Sequence, residues 1–184
     1  CMSGDTVRSL EHVTVALGKA PTDSRIKFWA GKVYLHINKI QTARQLFNDA
    51  LAINPSYAEC YEALGDSYLK ETKFKDASRY YFSAWEKGGY NELRAFKLGN
   101  SLSYDKKFLE AKDFYEAIVN RNPGYSEVVY KLVFAYCELG DLNKAKKTLE
   151  LFTANNPQWA QLAQAKIYET EKNTSAALDA LRLA

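Results

Sequence analysis

"INPSYAECYEALGDSYLK", residues 53–70, sets Gly65 inside a run whose apolar residues Tyr61, Leu64 and Tyr68 recur at helical spacing. An Asn-Pro pair, Asn54-Pro55, stands just ahead of that run. The residue before a proline is pushed out of helical geometry, so one helix ends there and another begins beyond it. Ser56, with Glu59 three residues on, predicts a capping box opening the second of these helices. Pieces of the phrase return as "RNPGYSEVVYKLVFAY" (121–136) and "NNPQWAQLAQAKIYE" (155–169). The turn recurs because the whole helix pair recurs.

A 34-residue period runs through the chain. Pro21, Pro55, Pro123 and Pro157 share one phase of it, with Gly89 in the vacant place. Ala43, Ala77, Ala111 and Ala145 keep the same spacing without exception. Gly31, Gly65 and Gly99 form a third column, completed by Val133. Tyr34, Tyr68, Leu102 and Tyr136 form a fourth, and Phe47, Tyr81, Tyr115 and Leu149 a fifth. Five columns at one period mark an internal repeat. After the polar turn "KETK" (70–73), a second helical pattern runs through Phe74, Ala77, Tyr81, Ala84 and Trp85. Glycine inside a helix costs about 1 kcal/mol against alanine, so its recurrence at Gly31, Gly65 and Gly99 predicts a close approach of two helices. Gly88-Gly89 reads as a flexible replacement for the missing proline.

The columns resemble the tetratricopeptide repeat family, with its 34-residue period and its bulky–Leu–Gly–Tyr–Ala–aromatic–Ala–Pro signature. The best match is Tyr61, Leu64, Gly65, Tyr68, Ala77, Tyr81 and Ala84, with Gly89 in place of the last proline. Pentatricopeptide repeats, which bind RNA, have a period one longer and lack this Gly–Ala signature. The resemblance implies an all-α fold, a right-handed solenoid of antiparallel helix pairs, over residues 1–184 as one domain. Full repeats fall at 24–57, 58–91, 92–125 and 126–159. Residues 1–23 read as the second helix of a preceding repeat, and 160–184 as a partial repeat with a slightly shortened linker. Both ends then read as uncapped, as expected of a segment of a longer chain or of one that self-associates or packs on a partner through its ends.

The chain has 184 residues, 47% hydrophobic and 26% charged, enough for a real core and unlike a disordered chain. A net charge of +3 and short basic clusters such as Lys106-Lys107 give no reason to expect nucleic acid. No apolar run approaches the length of a membrane-spanning helix, and no stretch reads as a signal peptide. The three cysteines, Cys1, Cys60 and Cys137, are odd in number and far apart, which argues against a disulfide framework. Cytoplasmic placement is favoured. The alternative is a lipid-anchored envelope protein acylated at Cys1, related to small proteins that assist pilus or secretion assembly.

No constellation for catalysis, metal or cofactor is legible. His12 and His36 are the only histidines and lack ligand spacing, and Cys60 and Cys137 lie in helical patterns as packing residues. Glu110, Asp113 and Glu116 read as one solvated helix face.

Surface remains. In the family, first helices line a concave groove. On a helical wheel, positions 4, 7, 8 and 11 of each repeat form the core side, and positions 2, 5, 9, 12 and 13 the opposite face. Those positions give a basic first repeat, with Phe28, Lys32 and His36, and an acidic second repeat, with Glu59, Glu62 and Asp66. They give a third with Phe96, Asn100 and Tyr104, and a fourth with Tyr130 and Phe134. Apolar surface rimmed by charge is typical of binding sites. The alternative is that Phe28, Phe96 and Phe134 pack against the neighbouring first helix. The expected function is therefore a non-catalytic module holding a peptide or helix of another protein in its groove, with the ligand's basic residues meeting Glu59, Glu62 and Asp66. A structural spacer, or the substrate-presenting segment of a larger enzyme, competes with it. Family members that hold the C-terminal carboxylates of heat-shock chaperones open with lysine and asparagine at positions 5 and 9. Here those positions read Phe28/Lys32, Glu62/Asp66, Phe96/Asn100 and Tyr130/Phe134, so no binding of such tails is expected.

Overall fold

The computed structural model describes the backbone of residues 4–150 and 157–184, and side chains from residues 8 and 158 onward in those two stretches. Cys1 and Asn156 lie outside the described residues. The described residues are helical, with turns between. In chain order the helices are α1 (Gly4–Lys19), α2 (Ser24–His36), α3 (Ile40–Ile53), α4 (Ala58–Leu69), α5 (Phe74–Gly88) and α6 (Glu92–Tyr104). They continue as α7 (Phe108–Arg121), α8 (Ser126–Glu138), α9 (Leu142–Glu150), α10 (Pro157–Thr170) and α11 (Thr174–Leu183). First helices α2, α4, α6 and α8 each start at the same point of the 34-residue repeat. By its contacts the chain divides into two compact units, Cys1–Arg94 and Ala95–Ala184. Each is a stack of helix pairs, the α-solenoid architecture.

The turn inside each pair has one geometry. Asn38, Thr72, Lys106, Gly140 and Lys172 all take left-handed backbone, φ between 56° and 76°. The first four keep the 34-residue phase, and the last comes slightly early. The amide beyond this residue donates back to the first helix, as from Lys39 to the Tyr34 carbonyl at 2.9 Å and from Lys73 to that of Tyr68 at 3.0 Å. This closes the helix end much as a glycine cap does.

Ala43, Ala77, Ala111 and Ala145 are fully buried. The glycine column faces the rings of the second helix in its own pair. A Cβ on Gly65 would lie 2.6 Å from Tyr81 Cε1, and one on Gly99 2.8 Å from that of Tyr115. One on Gly31 would collide with the Phe47 ring in the same way. Aromatic rings thus fill the space a side chain would occupy. Where the column holds Val133, the ring position holds the smaller Leu149, and both are buried.

Two local expectations fail. Ser56 and Glu59 form no capping box, because the cap of α4 is Tyr57, without a side-chain bond. The Ser56 amide and hydroxyl both donate to Asn54 Oδ1, at 3.2 and 2.9 Å, so the Asn-Pro turn captures the serine. Gly88-Gly89 is not a flexible spacer either. Gly89 caps α5 at φ 66°, ψ −162°, backbone that glycine alone adopts readily. A Cβ on Gly88 would meet the Arg94 guanidinium and lie 2.7 Å from Ala58 Cβ.

Candidate protein-binding faces

The buried rings decide what position 9 of each repeat can do. Tyr81 and Tyr115 are buried, and their hydroxyls donate to Asp66 Oδ1 at 2.7 Å and to Asn100 Oδ1 at 2.8 Å. A buried hydroxyl needs an acceptor. Burial pushes both phenols well above their ordinary range, so both stay protonated donors. Asp66 and Asn100, expected on the groove, are thus tied to the core. In the first repeat the ring is Phe47, which has no hydroxyl, and position 9 is Lys32.

Position 5 is settled by another pairing. Phe28 packs its ring, tilted, against Tyr57, with centroids 5.1 Å apart. Phe96 does so against Tyr125 at 5.5 Å, and Tyr130 against Trp159 at 5.4 Å. All three pairs have the same separation in sequence. The partner stands just before or near the start of the next first helix, so the rings seal one repeat to the next. Phe28, 9% exposed, belongs to the core and not to a groove, as the packing alternative held. In the second repeat position 5 is Glu62, and Asn91 occupies the partner's place. Glu62 Oε1 accepts from Arg94 Nε at 2.8 Å, while Arg94 Nη1 donates to the Gly89 carbonyl at 3.0 Å. Asn91 caps the helix start by accepting from the Arg94 amide at 3.1 Å. Glu62 is therefore bound within the chain, and Glu59 is the exposed member of the expected acidic trio.

In the first unit, α2 and α4 frame a cleft of about 470 Å³ lined by Lys32, Leu35, His36, Asp66, Leu69 and Lys70. All six stand at positions 9, 12 and 13. In the second unit Tyr104 is 52% exposed. Lys131 Nζ lies 5.8 Å from the centroids of both Tyr104 and Tyr130. Lys166 Nζ sits 4.7 Å over the Phe134 ring and pairs with Glu138 at 2.7 Å. Phe134 is half-buried, its other neighbours being Phe108 and Tyr130. The second unit thus brings Tyr104, Tyr130 and Phe134 onto one face, each beside a lysine. The sequence reading missed Lys131, Lys166, Phe108 and Trp159. Trp159 was recoverable, since Tyr57, Tyr125 and Trp159 share the 34-residue phase with Asn91.

Elsewhere chemistry is sparse. Burial pushes the Cys60 thiol up to about 12, and that of Cys137 above its ordinary value, so neither is a ready nucleophile. Among the described residues no three His, Cys, Asp or Glu gather as a metal site, and no helix is long and apolar enough to cross a membrane.

The comparisons with known proteins agree with this architecture. Residues 5–134 match the family described as the tetratricopeptide repeat protein 21 C-terminal ARM domain, and residues 104–167 the tetratricopeptide repeat. Tetratricopeptide repeat protein 21B of Xenopus laevis is 30% identical over 97 residues, which are 52% of this chain and 7% of that relative. Among solved structures, YrrB, described as a tetratricopeptide repeat protein with an unusual peptide-binding site, superposes with a TM-score of 0.78. It is 20% identical, with 92% of this chain and 89% of that one covered. Pseudomonas aeruginosa PilF superposes with a TM-score of 0.73 at 16% identity, covering 96% and 82%. At these identities the structural likenesses speak for the fold alone. By repeat period, helix pairing and family match, the chain belongs to the tetratricopeptide repeat family, in the group described by the protein 21 C-terminal ARM domain.

Proposed function

We propose that the chain is a non-catalytic protein-interaction module, a scaffold or assembly factor that seats an extended or helical segment of a partner protein on the faces of its first helices. The aromatic face of the second unit carries this reading. Tyr104 is half exposed beside Lys131, with Tyr130 and Phe134 next along α8. Aromatic rings offer large contact area at small entropic cost and dominate many interfaces. Phe96 and Asn100 support this face from within, through Tyr125 and Tyr115. The expected acidic half of the groove is reduced to Glu59, because Glu62 and Asp66 have partners of their own.

The test is affinity capture of partners with the wild-type chain, Tyr104→Ala and Leu109→Ala. Leu109 is 64% exposed at the start of the second helix α7. The reading expects partners held by the wild type and by Leu109→Ala, and released by Tyr104→Ala with a loss of about 1–3 kcal/mol in titration. Release by Leu109→Ala with retention by Tyr104→Ala would put the partner on the second helices and end the reading.

A further inference from the structure

We infer that the α2–α4 cleft of the first unit recognises an acidic peptide segment through Lys32 and Lys70. The inference sharpens the interaction-module reading and rests on it. Lys32 is available because of the core beneath it. At the same position Asp66 and Asn100 are consumed by tyrosine hydroxyls, whereas Phe47 asks for no acceptor. Neither Lys32 nor Lys70 has an ion pair among the described residues. Several other cations of the unit do: Lys27 with Asp49 at 3.6 Å, Arg44 and Lys73 with Glu71 at 2.9 Å, and Arg94 with Glu62 at 2.8 Å. What sets Lys32 and Lys70 apart from the other lysines without an ion pair is that they line the cleft.

The cleft holds two lysines and exposed His36 against a single carboxylate, Asp66, which already accepts from Tyr81. Its walls include buried Leu35 and half-buried Leu69. That combination suits a ligand with internal carboxylates for the lysines and an apolar side chain for the leucines. About 470 Å³ admits a few side chains of such a segment. Charge complementarity of this kind fixes partner choice and association rate more than affinity.

The probe is a fluorescein-labelled heptapeptide, Leu-Glu-Glu-Leu-Glu-Glu-Leu, acetylated and amidated so that no terminal carboxylate remains. Binding to the full chain is followed by fluorescence anisotropy at two salt concentrations. Saturable binding that weakens with salt is expected, with none for the peptide in which lysine replaces glutamate. Lys32→Glu and Lys70→Glu should each weaken binding by about tenfold or more, and Lys32→Arg should retain it. Lys75→Glu, the same charge change on the exposed side of α5, should leave it unaltered. Equal binding of both peptides, an equal loss in Lys75→Glu, or tighter binding of an octauridylate than of the acidic peptide would overturn the inference. So would binding only when the peptide's C-terminal carboxylate is free. If the acidic peptide fails while partners are still captured through Tyr104, the cleft assignment falls and the broader reading stands.

Discussion

Within the first unit, two junctions of one repeat are sealed in opposite ways. After the first repeat, position 5 is the ring of Phe28, packed on Tyr57 beside Phe47. The buried charge of that junction, Arg44, lies on the second helix, where it bonds Ser67 and Glu71. After the second, the same position is Glu62, bound to Arg94 with both side chains largely buried. The second unit repeats the aromatic solution twice, at Phe96–Tyr125 and Tyr130–Trp159. The charged junction is also where glycine replaces the recurring proline: Gly88 leaves room for the guanidinium, and the Gly89 carbonyl accepts from it. Departures from the repeat at positions 62, 88–89, 91 and 94 thus form one device. Arg94 stands where other repeats place Ile26, Cys60 and Val128. At this seam the residues around the charge differ from the repeat together, as suits an enclosed charge that would be expensive without its partner.

The sharpest way to break the comparison is to remove half of the charged pair. Arg94→Val leaves Glu62 enclosed and alone, and should destabilise the chain by about 3–5 kcal/mol in urea unfolding. The triple change Glu62→Phe, Asn91→Tyr and Arg94→Val copies the neighbouring seams, and should recover most of that loss or exceed the wild type. A triple variant as weak as Arg94→Val would show that the seams are not interchangeable.

Next comes the alanine column, shared by both kinds of seam. Ala77→Leu and Ala111→Leu should each overpack a fully buried contact at about 1–3 kcal/mol. Equal costs would show that the helix-pair core is indifferent to seam type. Stability unchanged in both would contradict the packing described. Gly89→Ala, which forces a side chain onto φ 66°, ψ −162°, should cost about 1–2 kcal/mol. The same change at exposed Gly124, which has ordinary backbone, should cost much less in the same melts.

The smallest effect is acid sensitivity. Lys73 and Arg44 beside Glu71 hold its carboxyl below the ordinary glutamate value. A depressed folded value means stability present above the unfolded pKa of about 4.3 and lost as pH falls through the folded value. Melting temperature should therefore drop across the range below about pH 4.3, and Glu71→Gln should flatten that part of the profile. An unchanged profile would show that the tie of Arg44 to Ser67, at 2.8 and 2.9 Å, carries the contact without the carboxylate.

The sequence by itself determined the helix pairs, their 34-residue phase and the family. Each rests on local geometry, the proline breaks and the apolar spacing, repeated often enough to rise above accident. It also showed that Gly65 must lie at a close approach, although the neighbour, the Tyr81 ring, stayed hidden. The left-handed turn residues were invisible, since only Gly140 among the five is glycine. Tertiary structure alone decided which wheel positions have partners within the fold. Phe28, Glu62, Asp66 and Asn100 lie on the expected face of the helix, yet each is claimed by a residue well over a helical turn away in sequence. Lys32, by contrast, lines the cleft of its own unit, and Tyr104 in the other unit is half exposed beside Lys131. A helical wheel fixes direction, whereas availability depends on whether a buried hydroxyl, ring or charge elsewhere in the fold needs that side chain first.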